Sequence, residues 1–427
     1  MNMTRSKWRV ALAAGVSAAS ITVPTVTEAQ TAASVAEAAA KAEAKNHVSN
    51  YVDLSGSVGY STNARLGPSG SGSNGAGIGR ISAYANHTVV GSRDQISVTA
   101  YGENQSYTSG GGSTQSFSLN GSIRHSVNPR LDIYANAGAS GDTGGQLYNR
   151  FVSVPYAPST IDPNNPLPST GVVDPAFVSL NRRQYRLFGS GGFSHKFTAR
   201  DFVNGSVGYS KVFYKGSGAD LDYDTVNGSV GWERQFNERT TGGLRLGASR
   251  SNYGARGHST VFNPAITART QLSEGWDASG SIGVSFVRQT SPLGRSKSHD
   301  LSLDASLCRR LETQSFCGNV SRSAQTSIGQ GLVNATTAGL SYFSRINSKD
   351  TLQLGASLSR SSAGNIALLP TTTTTYYNAN ASYNRKLSPR LSTGIEGGVR
   401  KLDQRGSSTP VDANAVIFLR YRLGDLL

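Results

Sequence analysis

The side chains best suited to chemistry near neutral pH are six histidines: His47, His87, His125, His195, His258 and His299. Their spacing matches no metal-ligand motif. His258 precedes Ser259 and His299 precedes Asp300. A hydrolase, however, needs a nucleophile, a base and an orienting acid together, and neither dipeptide supplies that set. Gly110-Gly111-Gly112 lies between two strand-like runs and lacks the setting of a phosphate cradle. No metal, cofactor or enzymatic activity is expected. Cys308 and Cys317 flank Glu312-Thr313 symmetrically. A turn there would set them opposite each other on one face, where a cross-strand disulfide can form; a pair of free thiols is the alternative.

The more abundant chemistry is basic. The formal net charge is +15. There is no basic run, and the bases are interleaved through the chain, which argues against a nucleic-acid surface. What positions them is a recurring polar turn. Gly91-Ser92-Arg93-Asp94, Asn128-Pro129-Arg130, Thr198-Ala199-Arg200-Asp201 and Asn237-Glu238-Arg239-Thr240 are followed by Ser273-Glu274-Gly275, Glu312-Thr313-Gln314, Asn347-Ser348-Lys349-Asp350 and Ser388-Pro389-Arg390. Each separates two runs of roughly ten residues that alternate apolar and polar, the rhythm of hairpins in a transmembrane β-barrel.

The expected fold is therefore all-β: an antiparallel transmembrane β-barrel of about 18 strands (16–18), with short turns on the periplasmic side and longer external loops. The stripe Trp276, Ala278, Gly280, Ile282, Val284, Phe286 is the cleanest of them. An arginine facing lipid at mid-depth costs roughly 2–4 kcal/mol. If the apolar stripes face lipid, the lumen receives Arg80, Arg124, Arg182, Arg186, Lys196, Arg245, Arg269, Arg310, Arg400, Arg420 and Arg422. Inward acids by the same parity include Glu103, Asp132, Glu233, Asp304 and Glu396. With bases in excess the lumen field should favour anions; alternatively, the charges pair across strands as scaffolding. Lys211, Arg234, Arg322, Arg360 and Arg385 keep outward parity near strand ends, where long side chains snorkel. Phe197, Phe236, Trp276 and Phe316 by the turns, with Tyr60, Tyr209 and Phe286 towards the other rim, are candidate interfacial girdles.

Residues 1–29 read as a signal peptide, with Arg5, Lys7 and Arg9 before a small-residue apolar stretch and Thr27-Glu28-Ala29 at its end. Residues 30–50 read as an Ala-rich periplasmic leader or short helix, and 51–427 as the barrel. The 142–181 segment is the one long connection, with Pro155, Pro158, Pro163, Pro166, Pro168 and Pro175. Its place as the third external loop is that of the loop that folds into the pore of general porins; an external lid is the alternative.

In these features the chain from about residue 50 onward resembles the porin-like β-barrels of the Gram-negative outer membrane. The closing run Val416-Ile417-Phe418-Leu419-Arg420-Tyr421-Arg422-Leu423 resembles the C-terminal signal read by the barrel-assembly machinery, although it ends Gly424-Asp425-Leu426-Leu427 without a terminal aromatic. Within that class it is most similar to barrels encoded among exopolysaccharide-export genes of alphaproteobacteria. The resemblance implies residence in the outer membrane and contact with its lipid and lipopolysaccharide. It also implies passage of small anionic or glycan solutes, with polysaccharide-export proteins as partners. A surface structural or adhesin barrel without transport is the alternative. Outward Gly and Ala would permit close packing in a homo-oligomer.

Overall fold

The computed structural model describes residues 47–63, 75–108, 112–143, 183–215, 222–292, 294–327, 331–363, 373–404 and 407–425. The expected signal peptide, the leader up to residue 46, residues 144–182 of the long loop region, and Arg182 lie outside the described residues.

The strands are His47–Ser61 (β1), Ala76–Val90 (β2), Asp94–Tyr107 (β3), Ser113–Asn128 (β4), Leu131–Asp142 (β5), Arg183–Lys196 (β6), Asp201–Lys215 (β7), Tyr223–Gln235 (β8) and Thr240–Asn252 (β9). They continue with His258–Ser273 (β10), Trp276–Ser291 (β11), Gly294–Arg310 (β12), Gln314–Ser327 (β13), Gly331–Arg345 (β14), Asp350–Ala363 (β15), Thr373–Lys386 (β16) and Leu391–Gln404 (β17). A two-residue strand, Ser407–Ser408 (β18), pairs with β17, and Asp412–Gly424 (β19) closes the sheet. Each long strand pairs antiparallel with the next, and β19 pairs with both β17 and β1. The result is a closed barrel of eighteen long strands, with β18 as a small flap on one connection.

Closure satisfies the backbone groups along the seams, which hydrocarbon demands. The side chains show which face meets it. Ile81 is 73% exposed, Val58 67% and Ile266 61%, while inward Asp53, Ser259 and Ser285 are exposed by 2% or less. Exposed large apolar residues recur on β1 to β4 and around the whole circumference. A soluble monomer rarely exposes apolar patches larger than a few hundred Å², so this continuous belt is a lipid-facing wall. Its edges carry aromatics: Phe197, Phe236 and Phe316 beside the short turns, and Tyr60, Phe117, Tyr209, Phe262, Phe286 and Tyr377 towards the loops.

The recurring turn has a common chemical cause. Asn128 Oδ1 accepts the Arg130 N–H at 2.8 Å, Asn237 Oδ1 those of Arg239 and Thr240 at 2.9 and 2.8 Å, and Asn347 Oδ1 those of Lys349 and Asp350 at 2.8 and 2.9 Å. Thr198 Oγ1 and Ser388 Oγ make the equivalent bonds to Arg200 and Arg390. In these five of the eight turns a short polar side chain closes the turn on its own backbone. Between β10 and β11, Gly275 takes over with φ of 77°, a conformation that favours glycine.

Two boundaries differ from the sequence reading. β1 begins at His47, not Tyr51, because His47 to Asn50 pair with Val90 to His87. The connection beyond Phe286, on the side where longer external loops are expected, is instead a hairpin: β11 and β12 run on in register to Ser291↔Gly294, where Gly294 has φ of 139°. Strands of 12 to 17 residues exceed the ~9–11 needed to cross a bilayer, so their ends project beyond it.

Ile282 lies midway between Trp276 and Phe286 on the outward stripe and is 53% exposed. Ile282→Arg should therefore lower unfolding stability in phospholipid bilayers by about 2–4 kcal/mol. Its inward neighbour Ser281 faces Asp304 across the β11–β12 pair, and Ser281→Arg should cost far less. Equal losses in denaturant titrations of the two variants would reverse the assignment of faces.

Candidate functional site: the inner wall

The inner wall carries a hydroxyl lining and two concentrations of charge. Register partners exchange hydroxyl bonds, as in Ser206–Ser229 and Thr225–Ser251 at 2.9 Å, Ser279–Ser306 at 2.7 Å and Ser321–Thr337 at 2.6 Å.

The first concentration lies on the seam where the chain's two ends meet. Asp53 on β1 is the register partner of Arg422 on β19. The guanidinium donates through Nε and one Nη to both carboxylate oxygens, each at 2.7 Å, and packs 4.0 Å from the Tyr51 ring centroid. Arg80 on β2 reaches in both directions along the wall. Its Nε lies 3.9 Å from Glu103 on β3, and its Nη1 lies 3.8 Å from Glu396 on β17. The reach to β17 crosses β1 and β19, where Ser57 is the register partner of both Arg80 and Phe418. The Tyr101 hydroxyl donates to Glu103. Arg420 lies over the Phe418 ring and within electrostatic reach of Asp53 and Glu396. Nearer the loops, Arg400 Nε donates to Asp412 at 2.7 Å, and the same carboxylate accepts the Ser61 hydroxyl at 2.6 Å and the Asn63 N–H at 2.7 Å.

The second concentration lies on the far wall. Arg310 is 3.6 Å from Asp277, and Asn204 donates to Glu233 at 3.3 Å. Arg245 is in electrostatic reach of Asp304 and Glu233, and Arg269 of Asp277 and Glu233. Between the two concentrations Arg124 donates to Asp132 at 2.9 Å. Arg186 lies over Phe188 and Lys196 over Phe202, at 5.6 and 5.5 Å. Cys308 and Cys317 are register partners with Cα atoms 4.1 Å apart and their sulfurs bonded.

The inner wall carries more acids than the expected set, although the inward bases named above still outnumber them. Asp53, Asp277 and Asp412 also point inward, and each sits beside a base. They follow the same parity as the bases and were legible from it. The arrangement is interleaved charge, which creates strong local dipoles. A second feature went unread. Ile78, Val212, Val261, Val287, Val333 and Leu402 are buried apolar residues on the inward face towards the loops, and of these Val261 and Val287 pack together. Its signal was the doubled apolar residues Val212-Phe213, Val261-Phe262 and Phe286-Val287, which break alternation and place apolar groups on both faces. Among the described residues no three His, Cys, Asp or Glu side chains converge as a metal site.

No family model and no curated protein matches the chain. Among solved structures it is similar to OccK2 (OpdF) of Pseudomonas aeruginosa at 12% identity and a TM-score of 0.44, over 89% of this chain and 98% of that one. A BenF-like porin from Pseudomonas fluorescens Pf-5 gives 10% identity and a TM-score of 0.44, over 88% of this chain and 99% of that one. The outer membrane protein opdK of Pseudomonas aeruginosa gives 10% and 0.42, over 88% and 98%.

Asp53 and Arg422 are both buried, so removing one strands the other. Asp53→Ala should destabilise the barrel by about 3–5 kcal/mol, and the Asp53→Ala/Arg422→Ala pair should recover part of that. Heat-modified gel mobility across a temperature series checks this. Additive losses would show that the pair does not act as a unit.

Proposed function

We propose that the chain is a porin-like channel of a Gram-negative outer membrane, passing small hydrophilic solutes by diffusion. The observation that carries this is the division of the closed barrel into an apolar outer wall and a hydroxyl- and charge-lined inner wall. Eighteen strands are enough to enclose an aqueous path. Both described ends lie on the short-turn side, as in bacterial barrels of even strand count, which puts the short turns in the periplasm and the loops outside. Paired charges can exchange hydrogen bonds with a passing polar solute without holding it, because each charge keeps a partner when the solute leaves. That suits hydroxyl-rich or dipolar solutes better than simple anions.

The narrower role in exopolysaccharide export rests on the resemblance alone. It predicts that deleting the gene changes released polymer while leaving small-solute uptake intact; unchanged polymer yield removes it.

In planar bilayers the refolded barrel should conduct, with a reversal potential near zero in asymmetric potassium chloride. Glu103→Gln with Glu396→Gln leaves Arg80 without a carboxylate and should move the reversal potential towards anion preference. A non-conducting barrel removes the channel reading. Strong anion selectivity in the unaltered protein would show that the pairs do not compensate.

A further inference from the structure

One seam of the barrel stops short. β12 and β13 pair only from Arg310↔Ser315 up to Leu303↔Arg322, eight register pairs against sixteen between β11 and β12 and fourteen between β13 and β14. No other seam between long strands has fewer than ten. Beyond Leu303 the two strands part. β12 stays with β11 from Gly283↔Ser302 to Ser291↔Gly294, and β13 stays with β14 from Ser323↔Ala335 to Ser327↔Gly331.

β13 is the strand that leaves the wall. Asn263 of β10 donates to the Ser302 hydroxyl at 3.0 Å, which ties β12 to its neighbours at the fork. By alternation Ala324 shares the outward face of Val320 and Arg322, yet it packs against Val261 and Val287, which face inward on β10 and β11. Ala324 reaches them only if the end of β13 passes on the lumen side of β12. Ser285 on β11 and Ser259 on β10, both inward, are each 1% exposed, which fits a second layer laid over them.

The fork opens within the apolar belt. Leu303 and Leu301 are the register partners of Ile282 and Val284, which lie below the girdle residue Phe286. Asp300, Leu301 and Ser302 therefore present a strand edge without its β13 ladder at the depth of lipid tails, where an open edge is costly. Leu301 is 49% exposed on the outer side of that edge. On its lumen side lie Val261, Val287 and Ala324. Apolar surface thus runs from the lipid face, round the β12 edge, to the inner wall. Five steps below Leu303↔Arg322, the Cys308–Cys317 disulfide joins the same two strands covalently.

We propose that the β12–β13 fork is a lateral passage between the lumen and the loop-side half of the membrane, that it takes the hydrocarbon tail of a single-chain amphiphile, and that Cys308–Cys317 sets its lower limit. The tail displaces Ala324 and takes over its contact with Val261 and Val287, while the polar end stays in lumen water. A hydrophilic solute gains nothing between leucines on one side and valines on the other. A two-chain lipid would have to bring both tails through three residues of open edge, roughly 10 Å of strand. The inference rests on the membrane-barrel reading above.

Photolabelling of the barrel in phosphatidylcholine nanodiscs tests it, with hexadecanoic acid carrying a diazirine on its chain as the probe and peptide mass spectrometry as the readout. Inward Val261 should be labelled, and inward Ser206 and Ser229 on a fully paired seam should not. Val287→Cys/Ala324→Cys, once oxidised, locks the end of β13 against β11. It should lower the label on Val261 about tenfold or more relative to Ala324→Cys alone, since excluding even two buried CH₂ groups costs that much affinity. Cys308→Ser/Cys317→Ser should let the label run down to Ser306 and Asn319, register partners below the fork. An unlabelled Val261 in the unaltered barrel, or equal label in the locked one, overturns the passage. Equal label from a diazirine phosphatidylcholine overturns the single-chain occupant. Label on Ser306 and Asn319 that does not depend on the disulfide, or that never appears, overturns its role as the limit. Potassium chloride conductance is read on every sample, so a barrel that labels without conducting removes the channel reading and leaves the passage standing.

Discussion

Everything in this molecule depends on the pairing of its first strand with its last. β1 and β19 are the most distant strands in sequence, yet they run side by side from Tyr51↔Gly424 to Ser61↔Asn414. Without that pairing two long strand edges would face hydrocarbon with unsatisfied N–H and C=O groups, at several kcal/mol each. The seam is correspondingly the most heavily tied part of the inner wall. Asp53 and Arg422 join β1 to β19, Asp412 collects Ser61 of β1 and Arg400 of β17, and Arg80 spans from β3 to β17. Side chains that line the lumen are thus also the ones that hold the cylinder shut.

That double use bears on permeation. A charge retained as a structural partner cannot act as a free counter-ion site without weakening the wall. Breaking a buried pair costs more than the pair itself contributes, because the remaining charge is left desolvated. Interleaving therefore favours a lumen that is polar everywhere and strongly charged nowhere. Towards the loops, buried apolar residues such as Val261 and Val287 interrupt this polar lining, while the Arg400–Asp412 pair stays on the same inner wall.

The outer wall obeys a different economy. Between its aromatic girdles it carries aliphatic residues, and its bases are displaced to the ends. At the periplasmic rim they meet acids of neighbouring strands or an indole ring. At the opposite rim arginines line up across strands with a threonine between them. The repetition of one cross-strand pattern on two separate strand triplets is a property of register. It is invisible in any single strand.

The sequence alone determined the fold class and a strand count of about eighteen. The reason is that lipid on one side and water on the other force a period of two, and a single misplaced arginine costs more than the chain can lose at many positions. Stripes such as Trp276 to Phe286 and the Asn-x-Arg type turns carried that information locally. The tertiary structure decided what depends on neighbours. Strand ends such as His47–Asn50 and Ser291–Gly294 were set by pairing, because polar residues outside the membrane have no preferred face. The partners of the seam bases were set by closure, because Asp53 and Arg422 are 369 residues apart in the chain and meet only when the cylinder shuts.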